Sequence, residues 1–167
     1  VAALHNNGLC SVGVAHGALR NRIGTDGNGV ADAIERNVIS GHQVAGAVAA
    51  NYLAGAGVLI YNTQQTVVAG NYIGTDATGA MSLWNSVGVK SYSGTGPNLI
   101  GTGADGAFDD AERNVISGGN YGVSLQNGDG DVVAGNFIGT DWSGTSPIPN
   151  SYGVGIESSR SSRIGGT

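Results

Sequence analysis

Asn21-Arg22-Ile23-Gly24-Thr25 through Glu35-Arg36-Asn37-Val38-Ile39-Ser40-Gly41 returns without a gap as Asn98-Leu99-Ile100-Gly101-Thr102 through Glu112-Arg113-Asn114-Val115-Ile116-Ser117-Gly118, an offset of 77 residues. A second stretch, Val67-Val68-Ala69-Gly70-Asn71-Tyr72-Ile73-Gly74-Thr75-Asp76, returns from Val132 to Asp141 at an offset of 65. A third signature, Ser-(Val/Tyr)-Gly-Val, stands at Ser11–Val14, Ser86–Val89 and Ser151–Val154. The offsets differ by 12 residues (77 against 65), which places an insertion in the first copy within residues 42–56. Self-similarity at a fixed spacing marks a fold whose units bury their apolar faces against one another.

The long repeat is itself double. Cutting before each Gly-Val pair gives starts at Gly13, Gly57, Gly88, Gly122 and Gly153, hence about four complete coils with partial coils at both ends. Each coil holds three short segments rich in Val and Ile, punctuated by Gly and Asn, a pattern of strands and not of helices. In this register Val14, Val58, Val89, Val123 and Val154 form one column, and Ile23, Val68, Ile100, Val133 and Ile164 a second. Ile39, Ile73, Ile116 and Ile138 form a third, preceded by Asn37, Asn71, Asn114 and Asn136. One β-branched residue per strand per coil suits a narrow core with coils rising ~4.8 Å apart. The asparagines are placed as a structural ladder, each bonding its stacked copy and the backbone of the turn. The pattern predicts one all-β domain over residues 1–167, a parallel β-helix (solenoid), as a piece of a longer array.

Composition agrees. Gly takes 31 positions and Pro 3, and charged residues make 11% of the chain, against about 25% in ordinary soluble domains. High Gly without Pro excludes collagen, and abundant β-branched residues exclude classical disorder. The net charge of −5, with Lys90 the only lysine and six scattered arginines, offers no basic stripe for nucleic acid. Cys10 stands alone, so neither an internal disulfide nor a cysteine metal cluster is available. No segment approaches a membrane span, and residues 1–12 lack a signal peptide's basic start and apolar core.

Loops alternate between two corners. After the second strand, odd coils insert Thr25–Arg36 and Thr102–Arg113 while even coils turn directly through Gly-Asn. After the third strand, even coils insert Thr75–Val87 and Thr140–Tyr152. The first coil carries instead the 42–56 insertion, whose Ala-rich centre, Val44–Ala54, reads as an inserted loop or short helix weakened by Gly46.

The motifs NVISG, VVAGNYIGTDATG and IGTDGNGVADAIERNVISG resemble the right-handed parallel β-helix repeats of large bacterial surface and secreted proteins. The resemblance covers nearly the whole chain and departs from it at residues 42–56. It implies a right-handed solenoid, an extracellular or cell-surface setting, and neighbouring adhesin-like or calcium-binding modules. It supplies no catalytic residues. Pectate lyases, polygalacturonases, alginate epimerases and phage tailspikes share this fold, and none of their catalytic motifs stands in this chain.

Candidate chemistry lies in the loops. Asp26, Asn28 and Asp32, with Glu35, offer oxygen ligands of the kind calcium takes, as do Asp105, Asp109 and Asp110. The two acidic sets read as differently spaced, which argues for turn-shaping instead. Glu35-Arg36 and Glu112-Arg113 suit a structural ion pair tying each loop to the next coil. Asp76 and Asp141 lie two coils apart, roughly 10 Å, near the upper limit for inverting carboxylates, and suit loop-start caps. His5, His16 and His42 share no ligand spacing. Trp84, Trp142 and Tyr152, with Phe108, are aromatic candidates for stacking on sugar rings, although Trp84 and Trp142 are not equivalent in their loops.

Two functions compete. One is a structural or adhesive module that displays its loops to glycan or protein and associates with neighbouring coils or with itself. The other is a polysaccharide-active enzyme (lyase, hydrolase or epimerase) using acidic loop residues. A third role, capping or oligomerisation, would centre on residues 42–56.

Overall fold

The computed structural model describes residues 9–43, 55–94, 96–103 and 105–166. Its strands form three sheets, all parallel. The first contains β1 (Cys10–Ala15), β4 (Ala56–Tyr61), β7 (Val87–Tyr92), β10 (Tyr121–Gln126) and β13 (Tyr152–Glu157), in that spatial order. The second contains β2 (Arg22–Gly24), β5 (Val67–Ala69), β8 (Leu99–Gly101), β11 (Val132–Ala134) and β14 (Arg163–Ile164). The third contains β3 (Val38–Ile39), β6 (Tyr72–Ile73), β9 (Val115–Ile116) and β12 (Phe137–Ile138). The chain visits the sheets in turn, so each strand pairs with its counterpart one circuit away. Four circuits touch all three sheets and a fifth touches two.

The core lies between the sheets. Val58, Val89 and Val123 from the first, Val68 and Ile100 from the second, and Ile73 and Ile116 from the third are fully buried in one cluster. Burying each such side chain contributes roughly 1.5–3 kcal/mol. The second and third columns pair as read: Ile23 with Val68, Val68 with Ile100, Ile39 with Ile73, and Ile116 with Ile138. The first column needs a correction in its first circuit, where Val12, not Val14, pairs with Val58, and Val14 pairs with Ile60. A slip of two residues keeps a side chain on the same face, so Val14 still packs against the core and the Gly-Val signature could not expose the shift.

The asparagine ladder is formed. Asn37 Nδ2 donates to Asn71 Oδ1 at 2.9 Å, Asn71 Nδ2 to Asn114 Oδ1 at 3.1 Å, and Asn114 Nδ2 to Asn136 Oδ1 at 2.8 Å. Asn71 Nδ2 also donates to the Ile23 and Ala69 carbonyls, which satisfies turn groups that water cannot reach. Two further columns do similar work. Asn85 donates to the Ile39 carbonyl and accepts from His42 N–H, and Asn150 does the same with Ile116 and Gly119. Buried Asp131 accepts from Ser91 Oγ at 2.6 Å and from both nitrogens of Asn98 at 3.0 Å.

Of the 42–56 insertion, residues 44–54, and with them the short-helix expectation, lie outside the described residues; Ala56 belongs to β4. The helix α1 (Asp109–Glu112) is a single turn inside the second acidic loop, with three acidic residues favourably placed in its first turn.

Candidate functional site

The acidic loop Thr25–Arg36 is organised by its own side chains. The Thr25 hydroxyl donates to Asp32 Oδ1 at 2.9 Å, and Gly29 N–H reaches Asp32 Oδ2 at 3.1 Å. Asp26 N–H donates to Glu35 Oε2 at 3.0 Å. Asn28 gives its N–H and its side-chain amide to Asp26, while its Oδ1 accepts from Val30 N–H. Asp and Asn do this readily because their short side chains reach backbone donors two residues on. Oxygens of Asp26, Asp32 and Glu35 consequently lie within 4.8 Å of one another. Each carboxylate keeps unused lone pairs, so this trio is the oxygen-rich place in the loop where a hard cation would fit. Asn28 spends both ends of its amide inside the loop.

The second acidic loop repeats this scaffold. Thr102 donates to Asp109, Gly103 N–H to Glu112 at 2.9 Å, and Ala107 N–H to Asp105 at 2.9 Å. At the 77-residue offset (Asn21 to Asn98), Asp109 replaces Asp32, Glu112 replaces Glu35 and Asp105 replaces Asn28. The sets therefore match in three roles, which corrects the expectation of different spacings. They differ where Gly103 stands for Asp26 and where Asp110 pairs with Arg113 at 2.9 Å. Asp105, Asp109 and Asp110 do not form a carboxylate cluster of the Asp26–Asp32–Glu35 kind among the described residues.

Glu35 and Arg36 divide their labour instead of forming the expected ion pair. Arg36 Nε donates to the Gly70 carbonyl at 3.2 Å, and its guanidinium lies 4.2 Å from the centre of the Tyr72 ring. Arg113 makes the same contacts one repeat later, to Gly135 O at 3.0 Å and over Phe137 at 4.4 Å. The arginine thus fastens each odd-circuit loop to the next circuit through a carbonyl and a cation–π contact. The loops also stack on each other. Phe108 lies over Gly29 so closely that a Cβ there would enter the ring, and Glu112 covers Gly27.

The other loop pair is built around Asp76 and Asp141. Asp76 accepts from the Thr78 hydroxyl at 2.8 Å and from Ala80 and Met81 N–H at 3.1 and 3.2 Å. Asp141 accepts from the Ser143 hydroxyl at 2.8 Å and from Thr145 and Ser146 N–H at 3.1 and 3.2 Å. The Thr78 hydroxyl bond holds the Asp76 carboxyl below its ordinary range despite some burial, with the backbone donors adding to it. For Asp141 burial pushes upward, and the Ser143, Ser146 and Thr145 bonds outweigh it. Both aspartates shape a loop.

The aromatic candidates are dispersed. Trp142 donates its backbone N–H to the Gly79 carbonyl at 3.0 Å, and its Cβ covers Gly79. Tyr152 stacks on Tyr121 with centroids 4.7 Å apart, and Trp84 stays partly exposed. No ring contact joins Trp84, Trp142 and Tyr152 among the described residues. His5 lies outside those residues, His16 packs edge-on against Tyr61 at 5.4 Å, and His42 is buried.

The burial of one charged group was not legible in the sequence. Lys90 is 7% exposed on the first sheet, and burial lowers its pKa, partly offset by the charge of Glu157. A lysine within a valine-rich strand carries no motif, and its burial depends on neighbours far along the chain. Comparison of the chain with models of protein families, with curated proteins and with solved structures finds no match.

Proposed function

We propose that the chain is a right-handed parallel β-helix whose three sheets form a rigid rod, and that it serves as a structural or adhesive module of a secreted or cell-surface bacterial protein. The observation that carries this reading is the employment of the loop carboxylates. Asp26, Asp32, Glu35, Asp76, Asp105, Asp109, Glu112 and Asp141 each accept a hydrogen bond from their own loop. Groups so engaged hold loops rigidly; they are not poised as an acid and base across a bound sugar. Repeated arginine clasps and stacked loops likewise suit a scaffold displaying variable surface.

The partners in this reading are neighbouring coils, a second copy, or a polysaccharide laid along the loops. Light scattering across a concentration series tests the first two, with growth in mass expected. A strict monomer at high concentration, together with no retention on neutral or acidic glycans, would sink the proposal. Turnover of a glycan that Asp26→Ala or Asp109→Ala abolishes would favour the enzyme instead. Calcium, if the module uses it, belongs at Asp26, Asp32 and Glu35. Millimolar calcium should then raise the thermal midpoint of the wild type and leave Asp32→Asn unmoved.

A further inference from the structure

The loops of alternate circuits dock by one device. Phe108, left-handed at φ 56° before the α1 turn, lies over Gly29, which has room because it lacks a side chain. Four residues on, Glu112 covers Gly27; a Cβ there would come within 2.6 Å of Oε1. The Glu112 carbonyl accepts from Gly70 N–H at 2.8 Å, and the Ala111 carbonyl closes over Gly70. Gly70 is consequently buried between two loops.

Two of these receiving features recur one repeat later with nothing on them, while Ala104 stands in the place of Gly27. Gly106 occupies the place of Gly29, at φ 82° against 80°, and no atom lies within 4 Å of a Cβ built there. Gly135 occupies the place of Gly70 and, like it, covers a threonine methyl, here Thr102. Gly135 is exposed, and its N–H has no acceptor among the described residues. Beside them opens a recess of ≈ 670 Å³ lined by Gly106, Phe108, Asp109, Asp110, Ala111 and Arg113. The other loop column agrees: Gly79 lies between Tyr72 and Trp142, whereas its equivalent Gly144 touches only Phe137.

We infer that the outer side of loop Thr102–Arg113 is a docking surface for a further loop of its own kind, an aromatic residue followed four positions later by glutamate, supplied in cis by the circuit that contains β13 and β14. Continuity with the existing loop–loop contact identifies this occupant. The aromatic ring fills the space over Gly106 and the carbonyl of the glutamate takes the Gly135 N–H. A second copy stacked end to end does not fit, because β13 and β14 already occupy the level at which its first circuit would have to lie. The inference rests on the stacked-array reading above and adds the partner's chemistry.

The test replaces Gly166-Thr167 by a copy of Thr102–Gln126, joined directly to Gly165, and follows amide hydrogen exchange by NMR. Exchange at Gly135 should slow about tenfold or more, and replacing the appended counterpart of Phe108 by alanine should reverse most of that. Unchanged Gly135 exchange, whether or not the added segment orders, overturns the inference. Within the unextended chain, Phe108→Ala should speed exchange at Gly70 by a similar factor; no change there refutes the docking device itself. Self-association that leaves Gly135 unprotected would preserve the array reading while removing this surface.

Discussion

Asn114 shows how much one side chain carries in this chain. Its amide donates to Val68 O and Asn136 Oδ1 and accepts from the backbone and side-chain nitrogens of Asn71, with Asn114, Val68 and Asn71 fully buried. Truncation strands several buried partners, each costing about 1–3 kcal/mol. Asn114→Ala should therefore lower stability by roughly 3 kcal/mol or more in urea unfolding, while Asn37→Ala, at the exposed end of the ladder, should cost far less. The loop aspartates give a pH signature. Its hydrogen bonds hold the Asp76 carboxyl below the ordinary carboxylate range in the folded chain. A carboxyl depressed in this way stabilises the fold above its unfolded pKa and loses that contribution as pH falls through the folded value. The gap in urea midpoint between wild type and Asp76→Asn should be level above about pH 5 and close progressively below it. A gap independent of pH would contradict the hydrogen-bond account.

Among the elements, the corner after the second-sheet strands is the least tolerant. Gly24 and Gly101 adopt φ of 100° and 110°, and a Cβ on either would run into a carbonyl of the next circuit, Ala69 or Ala134, and into the ladder asparagine beside it. Backbone strain and collision add, so Gly24→Ala and Gly101→Ala should each cost about 3 kcal/mol or more. Gly17 and Gly130, also at positive φ but facing open space, should lose only about 1 kcal/mol. Chemical denaturation of the four variants separates the two classes. Equal losses would show that conformation alone, and not the close approach of circuits, governs these corners.

Across the whole molecule, stability should grade along the stack. β4 and β10 are buried almost throughout, whereas β13 and β14 are largely exposed and β1 is mixed. In a fold whose strands pair only with those of adjacent circuits, stability is close to a sum of local terms. Amides of β4, β7 and β10 should exchange most slowly and those of β13 and β14 fastest. Uniform protection would point to a single cooperative unit instead.

The repeat made most of the fold legible in advance. Columns of Val and Ile, the Asn ladder and the two loop corners follow from period and residue type, because equivalent positions in stacked circuits must meet one another. The second Asn column is written in the sequence too, in Asn85 and Asn150 before their Ser-x-Gly-Val signatures. The register of the first circuit was not legible, since a two-residue slip leaves the inward pattern unchanged. Nor was the use of the loops' polar groups. Sequence shows that Glu35, Arg36 and Asp110 are charged; only three-dimensional proximity decides that Glu35 caps a backbone N–H, Arg36 lies on Tyr72, and Asp110 pairs with Arg113. Stacking places the partners of Arg36 in the next circuit, more than thirty residues away, where no local pattern records them. Glu35 and Asp110 find theirs within their own loops, once the loop's folding brings them together.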